Sequence, residues 1–306
     1  AGVDVRSYPA QSVPSRATRL RKLLLAAIRS DYLVLHFHLP EVMLFSIALA
    51  LLPFSRCKIV TLDFFIGTPR AALLPLIRWS IGRVHKLLVY FKQGEDVFAQ
   101  KFGIRKARFE YIPFKINSLE FIRTIQPGDD GYIFSGGRSY RDFATFFEAM
   151  SKLPYPAKII AAPEAVLVQN GCSLAGLKVP TNVEVITDNP DPKFFNLLLS
   201  RSRMVVLPVK KESTTQAGIS VYLQAMALEK CVVISDGLGV NHILDDGQAV
   251  VVPAGDAQSL GHAISRVWED AAYRNSIAKK GRAFAESLGG EDHLRRNILR
   301  AVGVTA

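Results

Sequence analysis

Short runs of consecutive apolar residues, rich in Val, Ile and Leu, recur along this chain and constrain its fold more than any other feature. Because the runs are continuous rather than alternating, each is predicted to be a strand buried on both faces, as in a parallel sheet covered by helices. The segments between them, such as DFATFFEAMSKL and SVYLQAMALE, have helical periodicity. The sequence therefore predicts an α/β fold with doubly wound parallel sheets. The ten predicted strands are 33–37, 58–64, 86–91, 109–114, 132–137, 158–162, 183–187, 204–208, 231–235 and 249–253.

A break near residues 115–130 separates four strands from six, and Pro127-Gly128 within it predicts a loop. A length of 306 residues also suggests two domains. We predict Rossmann-like domains over residues 1–125 and 126–306, facing each other across a cleft, with the last helix packing back on the first domain. The opening AGVDVRSYPA resembles a strand already in progress, so the first domain is expected to lack its first strand.

The formal net charge of +11 lies in the first part of the chain, where residues 1–127 hold 19 Lys and Arg against 8 Asp and Glu. Such an uneven charge distribution indicates either that this part of the chain binds an anionic partner or that the charge keeps the protein soluble. Basic residues on or beside the apolar segment LRKLLLAAI suit anionic lipid headgroups. The apolar run 42–52 is too short to span a membrane and is also explained as a core helix. The basic residues at LRKLLLAAI are Arg16, Arg19, Arg21, Lys22 and Arg29.

Several function classes are disfavoured. Three scattered cysteines exclude a disulfide scaffold and, without a CxxC pair, indicate no zinc site. The absence of GxGxxG argues against a dehydrogenase, and no nucleic-acid-binding motif is present, so neither metal nor nucleic acid is predicted.

Two strand–loop–helix units carry residues suited to a phosphate. In SGGRSYRD, Gly136 and Gly137 would let the backbone approach a diphosphate, Arg138 and Arg141 would supply forked donors, and a helix would begin near Asp142. In PVKKESTTQAGIS, basic and hydroxyl side chains precede a helix opened by Gly218. Each unit is also explained as an ordinary connection, the second with Thr214 or Thr215 as helix N-cap.

Together these units resemble the C-terminal domain of GT-B-fold glycosyltransferases of the large retaining family, family 4-like. GYIFSGGRSYRDFATFFEAM is similar to the family's strand–Gly-Arg–helix entry, and YLQAMALEKCVVIS with the later PAGD turn is similar to its most recognisable stretch. The first part of the chain is similar more loosely, through DYLVLHFHLP and KIVTLDFF.

Four positions depart from the family pattern. The two glutamates that the family usually carries correspond to Gln216 and Gln224 here. Its second basic residue corresponds to Arg141, at shorter spacing, and Asp63 stands where the family often has a histidine.

The resemblance implies a metal-independent glycosyltransferase that moves a sugar, with retention, from a UDP or GDP sugar to a glycan or lipid-linked acceptor in polysaccharide or glycoconjugate synthesis. No cofactor beyond the donor is expected. The expected location is the cytoplasm, peripheral on the inner face of the membrane. The alternative is a non-catalytic two-lobed protein that binds a nucleotide sugar or a sugar, which the two glutamines favour.

The resemblance also implies site residues. The catalytic candidates are Asp63, Arg138, Lys211 and Glu212, and the acceptor-side candidates are His36 and His38. The nucleotide-sugar-binding candidates are Gly136, Gly137, Arg138, Arg141, Thr187, Lys210, Thr214, Thr215, Gln216, Ala217, Gly218, Ile219, Ser220 and Gln224. Three further polar residues are expected to be solvated, namely His242, Asp245 and Asp246.

Overall fold

The structure is a computed structural model that describes residues 15–52, 55–64, 71–93, 95–187, 191–213, 215–244 and 247–304. The chain divides into two compact units. The first unit comprises residues up to Ile112 together with Arg296–Ala306, and the second comprises Pro113–Arg295. The strand expected at residues 1–10 lies outside the described residues.

In the described part of the first unit, four parallel strands form a sheet in the order β1-β2-β3-β4. The strands are β1 (Tyr32–His36), β2 (Lys58–Leu62), β3 (Lys86–Val89) and β4 (Phe109–Tyr111). The helices are α1 (Arg16–Ala27), α2 (Leu39–Ala50), α3 (Leu74–Gly82) and α4 (Glu95–Phe102), with single 3-10 turns at Ala71–Leu73 and Lys106–Arg108.

The second unit contains a six-stranded sheet that is also parallel throughout. Its strands are β5 (Ile133–Gly136), β6 (Ala157–Ala161), β7 (Val183–Thr187), β8 (Met204–Leu207), β9 (Cys231–Ser235) and β10 (Val250–Val252). Its helices are α5 (Leu119–Ile122), α6 (Phe143–Met150), α7 (Glu164–Gln169), α8 (Pro192–Arg201), α9 (Ile219–Ala227), α10 (Ala257–Glu269) and α11 (Ala271–Leu288), followed by α12 (Glu291–Ala301).

The predicted α/β fold is confirmed: each of the ten apolar runs contains a strand or overlaps one. The continuous apolar character has the expected cause, because every residue of β5, β8 and β9 is buried. Helices on the two faces of the sheet supply this burial, and the core includes Phe146 and Met150 of α6 and Leu260 and Ile264 of α10.

The boundary between the units falls thirteen residues before the predicted one at 125/126. The reason is that the polar segment 113–125 is bound within the second unit rather than serving as a linker. The backbone amide of Ile116 donates to the carbonyl of Gly289 (2.9 Å), and the side-chain Nδ2 of Asn117 donates to the hydroxyl of Ser220 (2.8 Å). At the other end of the chain, residues from Arg296 onward belong to the first unit, where the Lys86 ammonium donates to the carbonyl of Ala301.

Capping side chains begin several helices of the second unit. Asp142 caps α6 by accepting from the amide of Thr145, as the sequence predicts. Helix α9 differs from the expectation that Thr214 or Thr215 caps it. Its N-cap is Gly218, which adopts a left-handed conformation (φ 97°) and makes no side-chain cap bond.

Candidate functional site

The second sheet reverses its strand order between β5 and β8. From this pair, β6 and β7 continue towards one edge, and β9 and β10 continue towards the other. In open parallel sheets, ligands bind beyond the carboxyl ends of the strands at such a reversal, because the two adjacent loops leave in opposite directions and open a crevice. The loops that follow β5 and β8 are the two units predicted from the sequence to bind phosphate.

These two loops are hydrogen-bonded to each other. Arg141 and Val209 form an isolated antiparallel bridge, and the amide of Lys210 donates to the carbonyl of Tyr140 (2.9 Å). The structure therefore joins the segments SGGRSYRD and PVKKES, which lie about 70 residues apart in the chain, into one surface at the strand reversal.

Arg141 lies inside this surface and is only 2% exposed. Its Nε donates to the carbonyl of Gly136 (2.8 Å) and its Nη1 to the carbonyl of Ser139 (3.0 Å). Within the described residues, no carboxylate lies within ion-pair distance of the guanidinium. Burial lowers the pKa of Arg141 to about 10, because removing the charge from water disfavours the protonated form.

Gly137 allows the backbone to approach this guanidinium. Its φ of 111° is unfavourable for residues with a side chain, and a Cβ at this position would lie 2.3 Å from Nη2 of Arg141. The first glycine, Gly136, is buried at the end of β5. The Gly-Gly pair therefore holds the arginine in place, a role additional to the predicted approach to a phosphate.

Cys172, which the sequence analysis did not single out, supports the same loop. Its Sγ accepts from the amide of Arg141 (2.9 Å) and donates to the carbonyl of Arg138 (3.3 Å). Burial raises the pKa of the Cys172 thiol, so the sulfur remains a neutral hydrogen-bonding group. No local pattern identifies this residue, because it reaches the loop from 31 positions further along the chain.

The remaining charged candidates lie towards solvent. The side chains of Arg138, Lys211 and Glu212 are exposed, whereas Lys210 is half-buried. The hydroxyl of Ser213 donates to the carbonyl of Thr215 (3.2 Å) and shapes the loop between them. Thr214 lies outside the described residues.

A shallow depression opens beside these residues. Its walls come from the loop after β8, the segment before α9 and the loop after β9. Polar groups at its surface include Lys210, Lys211, Ser213, Thr215 and Asp236. Ala217, in its wall, directly precedes Gly218, the N-cap of α9. Two amides of the first turn already have backbone acceptors, because Ile219 donates to the carbonyl of Gln216 (3.4 Å) and Val221 to the carbonyl of Gly218 (3.0 Å).

Gln216 and Gln224 are both buried, although glutamine seldom is. The backbone of Gln216 packs against Gly239, where a Cβ would lie 3.1 Å from its Cα. The side chain of Gln224 joins helices α8 and α9, because its Nε2 donates to Oδ1 of Asn196 (3.0 Å). Its Oε1 accepts from the hydroxyl of Ser220 (3.4 Å). Gln224 is therefore part of a neutral buried network, and Asn196 is a further member that the sequence analysis missed.

Two predicted positions lie apart from this group. Thr187 ends β7, two strands from β5, a separation of about 10 Å at ordinary strand spacing. His242 is exposed and left-handed (φ 62°), as expected for a solvated residue, while Asp245 and Asp246 lie outside the described residues.

In the first unit, Asp63 and His36 lie together at the ends of the neighbouring strands β2 and β1. Asp63 has a left-handed backbone (φ 58°). Burial raises the pKa of the Asp63 carboxyl, and the nearby His36 partly opposes this shift.

His38 has a different neighbour. Its Nδ1 lies 3.8 Å from Oε1 of Glu41, a buried carboxylate that also pairs with Arg19. Arg19 was predicted to face lipid headgroups. The structure instead uses it to bind Glu41, and so to join α1 to α2, because a buried carboxylate needs a cationic partner.

Two surveys of the described residues bear on metals and membranes. No group of three or more His, Cys, Asp or Glu side chains there is arranged to hold a metal ion. None of the helices among these residues is both long and apolar enough to cross a bilayer.

A family model described as "Glycosyl transferases group 1" matches residues 124–284, just over half of the chain. The chain belongs to this family. It is a glycosyltransferase, and the matched segment contains both loops of the strand reversal and all of α9. The resemblance stated from the sequence is thereby confirmed. No curated protein sequence matches the chain.

Solved structures show that the fold is that of GT-B glycosyltransferases. HepE from Anabaena, solved with UDP, superposes with a TM-score of 0.70 at 16% identity over 94% of this chain and 82% of its own. A glycosyltransferase from Rickettsia africae superposes with a TM-score of 0.70 at 12% identity, over 98% of this chain and 83% of its own. Sucrose-phosphate synthase from Thermosynechococcus elongatus superposes with a TM-score of 0.65 at 15% identity, over 93% of this chain and 78% of its own.

Proposed function

We propose that this glycosyltransferase moves a sugar, with retention of configuration, from a nucleoside diphosphate sugar to a glycan or lipid-linked acceptor, in polysaccharide or glycoconjugate synthesis. UDP is the first candidate for the nucleotide and GDP the second. The observation that carries the proposal is the buried guanidinium of Arg141, which has no carboxylate partner among the described residues and lies at the reversal of the second sheet.

A buried cation without a counter-charge is costly, because burial removes its hydration and carbonyl groups replace only part of it. Arg141 has two carbonyl partners. An anionic ligand at this surface would supply the missing charge. A diphosphate fits, since a guanidinium forms forked hydrogen bonds with phosphate oxygens and the N-terminal end of a helix such as α9 favours negative charge.

The difficult step of the proposed reaction is departure of the diphosphate. The bond from the anomeric carbon to the diphosphate oxygen breaks, and a bond to the acceptor oxygen forms on the same face of the sugar. Negative charge grows on the departing oxygen, and fixed donors stabilise it. We assign this stabilisation to Arg141, Arg138 and Lys210, and the proposed mechanism includes no metal ion.

The acceptor hydroxyl must lose a proton during transfer. Asp63 is the candidate to receive it, with His36 beside it, because burial raises the pKa of the Asp63 carboxyl towards values that suit a general base. Lys211 and Glu212, exposed on the loop after β8, remain candidates for contact with the donor sugar.

Two observations from related folds support UDP. HepE was solved with UDP and with UDP-glucose, and a trehalose-phosphate synthase of the same fold from Burkholderia xenovorans is described as UDP-forming. Gln216 and Gln224 are compatible with donor binding, because neither adds negative charge near a diphosphate and the amide of Gln216 can hydrogen-bond a sugar hydroxyl.

A peripheral location on an anionic membrane surface completes the proposal. The basic excess of residues 1–127 supports it, since such a charge is attracted to anionic headgroups.

Hydrolysis of the donor in the absence of acceptor tests the proposed chemistry. UDP-glucose and GDP-mannose are incubated with the enzyme, and the anomer of the released sugar is followed by NMR. Initial release of the donor's own anomer is expected. Replacement of Arg138 by Ala should slow hydrolysis about a hundredfold, the usual cost of one fixed charge contact.

Arg296→Ala, a change of an exposed arginine on α12, is the matched control and should leave the rate unchanged. Release of the opposite anomer would contradict retention. Donor binding without any hydrolysis or transfer would instead favour the non-catalytic binding protein.

A further inference from the structure

Helices α2 and α3 expose large apolar side chains on faces that should be polar in a surface helix. On α2, Leu44 and Ile47 are 45% and 40% exposed, and Leu51, the C-cap, is 75% exposed. On α3, Leu76 and Trp79 are 39% and 44% exposed. In each helix these positions are spaced by three or four residues and therefore share one face.

The two exposed faces form one surface. Helices α2 and α3 follow successive parallel strands, and right-handed connections place both on the same side of the sheet. They pack against each other where the hydroxyl of Ser46 donates to the carbonyl of Ser80 (3.0 Å). Both serines are completely buried, so the two helices are in direct contact there. Leu76 lies one turn before Ser80 and therefore borders this contact.

The exposed charges of these two helices have one sign. Arg83, the C-cap of α3, is exposed, and its guanidinium lies 5.4 Å from the ring of Trp79. Arg78 is also exposed, but it lies towards α4, where its guanidinium donates to the carbonyl of Lys101 (3.1 Å). In segments 39–51 and 71–83 the single acidic residue is Glu41, which is buried and paired with Arg19. The surface therefore presents leucine, isoleucine, tryptophan and arginine with no exposed carboxylate.

We propose that the outward faces of α2 and α3, here called the α2–α3 surface, dock on the headgroup region of an anionic lipid bilayer. Apolar side chains would enter the boundary between headgroups and acyl chains, while Arg83 binds a phosphate and Trp79 takes the interfacial position that tryptophan prefers. A second copy of the chain is a poorer occupant, because the same positive charge would face itself.

This inference rests on the membrane location in the proposed function but not on the proposed glycosyl transfer. It places the membrane contact on α2 and α3, whereas the sequence analysis had placed it on the segment that forms α1. The apolar run 42–52, which the sequence analysis also explained as a core helix, both packs in the core and contributes to the proposed membrane contact. One face of α2 is buried against the sheet, and the opposite face carries Leu44 and Ile47.

Co-sedimentation of the full chain with vesicles tests the inference. Vesicles of phosphatidylcholine alone are compared with vesicles containing 40% phosphatidylglycerol, at low and high salt. Binding to the anionic vesicles that weakens with salt is expected. Arg83→Gln should reduce the partition coefficient about fivefold, the effect of one charge near the surface. Leu76→Gln combined with Ile47→Gln should reduce it at least tenfold.

Leu197→Gln, at an exposed leucine of α8 in the second unit, is the matched control and should leave partitioning unchanged. Trp79 supplies a direct readout. The chain has two tryptophans, and Trp268 stacks on Tyr155 (ring centroids 4.5 Å apart), so a blue shift of emission on vesicle addition should disappear in Trp79→Gln.

Equal partitioning of the Leu76→Gln/Ile47→Gln variant and wild type would overturn the inference, as would equal binding to neutral vesicles. Dimerisation abolished by the same variant, without vesicle binding, would assign the surface to a second copy instead. Nucleotide-induced stabilisation, measured on the same preparations, reports on the donor site separately. Its loss would count against the proposed function and leave the docking surface untouched.

Discussion

Arg141 and Lys230 are buried cations, and both donate hydrogen bonds to backbone carbonyl oxygens. The ammonium of Lys230 donates to the carbonyls of Gly128 (2.5 Å) and Ser202 (2.7 Å), at the C-terminal end of α8. Such an end favours a cation, so the position of Lys230 is explained by structure alone. Arg141 has no comparable explanation, and its place between two glycine- and lysine-bearing loops points to a ligand.

Gly137→Ala tests how tightly the loop holds Arg141. The new methyl group would meet Nη2 at 2.3 Å in a backbone conformation that alanine avoids. We expect a loss of about 2–3 kcal/mol in the free energy of unfolding, measured by chemical denaturation. Gly261→Ala, in the interior of α10 with open space around it, should instead stabilise by about 0.5–1 kcal/mol. Equal effects of the two changes would contradict this account of Gly137.

Lys230 predicts a pH dependence of stability. Burial lowers the pKa of Lys230 to about 8, whereas in the unfolded chain it is close to 10.5. Between these values the unfolded state binds the extra proton, so the free energy of unfolding should rise with pH through this window. Relative to Lys230→Met, the gain should reach roughly 3 kcal/mol by pH 10.5. Lys279→Met, at an exposed lysine of α11, should follow wild type across the same range. A parallel pH profile in Lys230→Met and wild type would contradict the shift.

At the level of helices, a neutral network joins α8 to α9 where the family usually has a charged residue. Gln224 contributes both of its polar atoms to this network, one to Asn196 and one to Ser220. A buried amide pair holds its helices without the desolvation cost of a carboxylate. The glutamine at this position is therefore an intact structural link beside the start of α9.

Asn196→Ala should break this link. It leaves Nε2 of Gln224 buried without its acceptor, which costs about 1–3 kcal/mol in the free energy of unfolding. Asn275→Ala, at an exposed asparagine of α11, should change stability by less than about 0.5 kcal/mol. Thermal and chemical denaturation of the two variants measures the difference. A stable Asn196→Ala protein would mean that the network contributes little.

The local sequence pattern was sufficient to predict most strands and helices, but it did not predict how the candidate site is built. The strands at 183–187 and 231–235 have the predicted bounds. The second is buried throughout, as its consecutive apolar residues predict, whereas the first lies at the edge of the sheet and is mostly exposed, so the expected burial on both faces is wrong for it. The start of α6 after Asp142 was predictable from its capping side chain. The burial of Arg141 was not, since it depends on Cys172 and Val209, which reach it across the sheet.

The division of the chain shows the same limit. Polar residues at 115–130 suggested a break between the domains, yet Ile116 and Asn117 are hydrogen-bonded to residues more than a hundred positions away, within the second unit. Composition reports the polarity of a segment but not its partners. The two glutamines, likewise, were visible in the sequence as departures, and only the position of Asn196 explains one of them.

Over the whole molecule, the candidate donor site and the basic excess lie in different parts of the chain. The second unit carries the strand reversal, the buried Arg141 and the start of α9. Residues 1–127 carry the whole basic excess, and the first unit carries the apolar α2–α3 surface. This separation is what a donor site in one unit and an anionic surface partner for the other would require.

Nucleotide-dependent thermal unfolding tests the central claim, that the joined loops after β5 and β8 bind a nucleoside diphosphate. The chain is heated alone and with UDP, GDP, ADP or dTDP. We expect UDP to stabilise most, by about 2.7 kcal/mol at a hundred times its dissociation constant. The shift should be lost in Arg138→Ala and kept in Arg296→Ala. No shift with any nucleotide, or the same shift in both variants, would contradict the account.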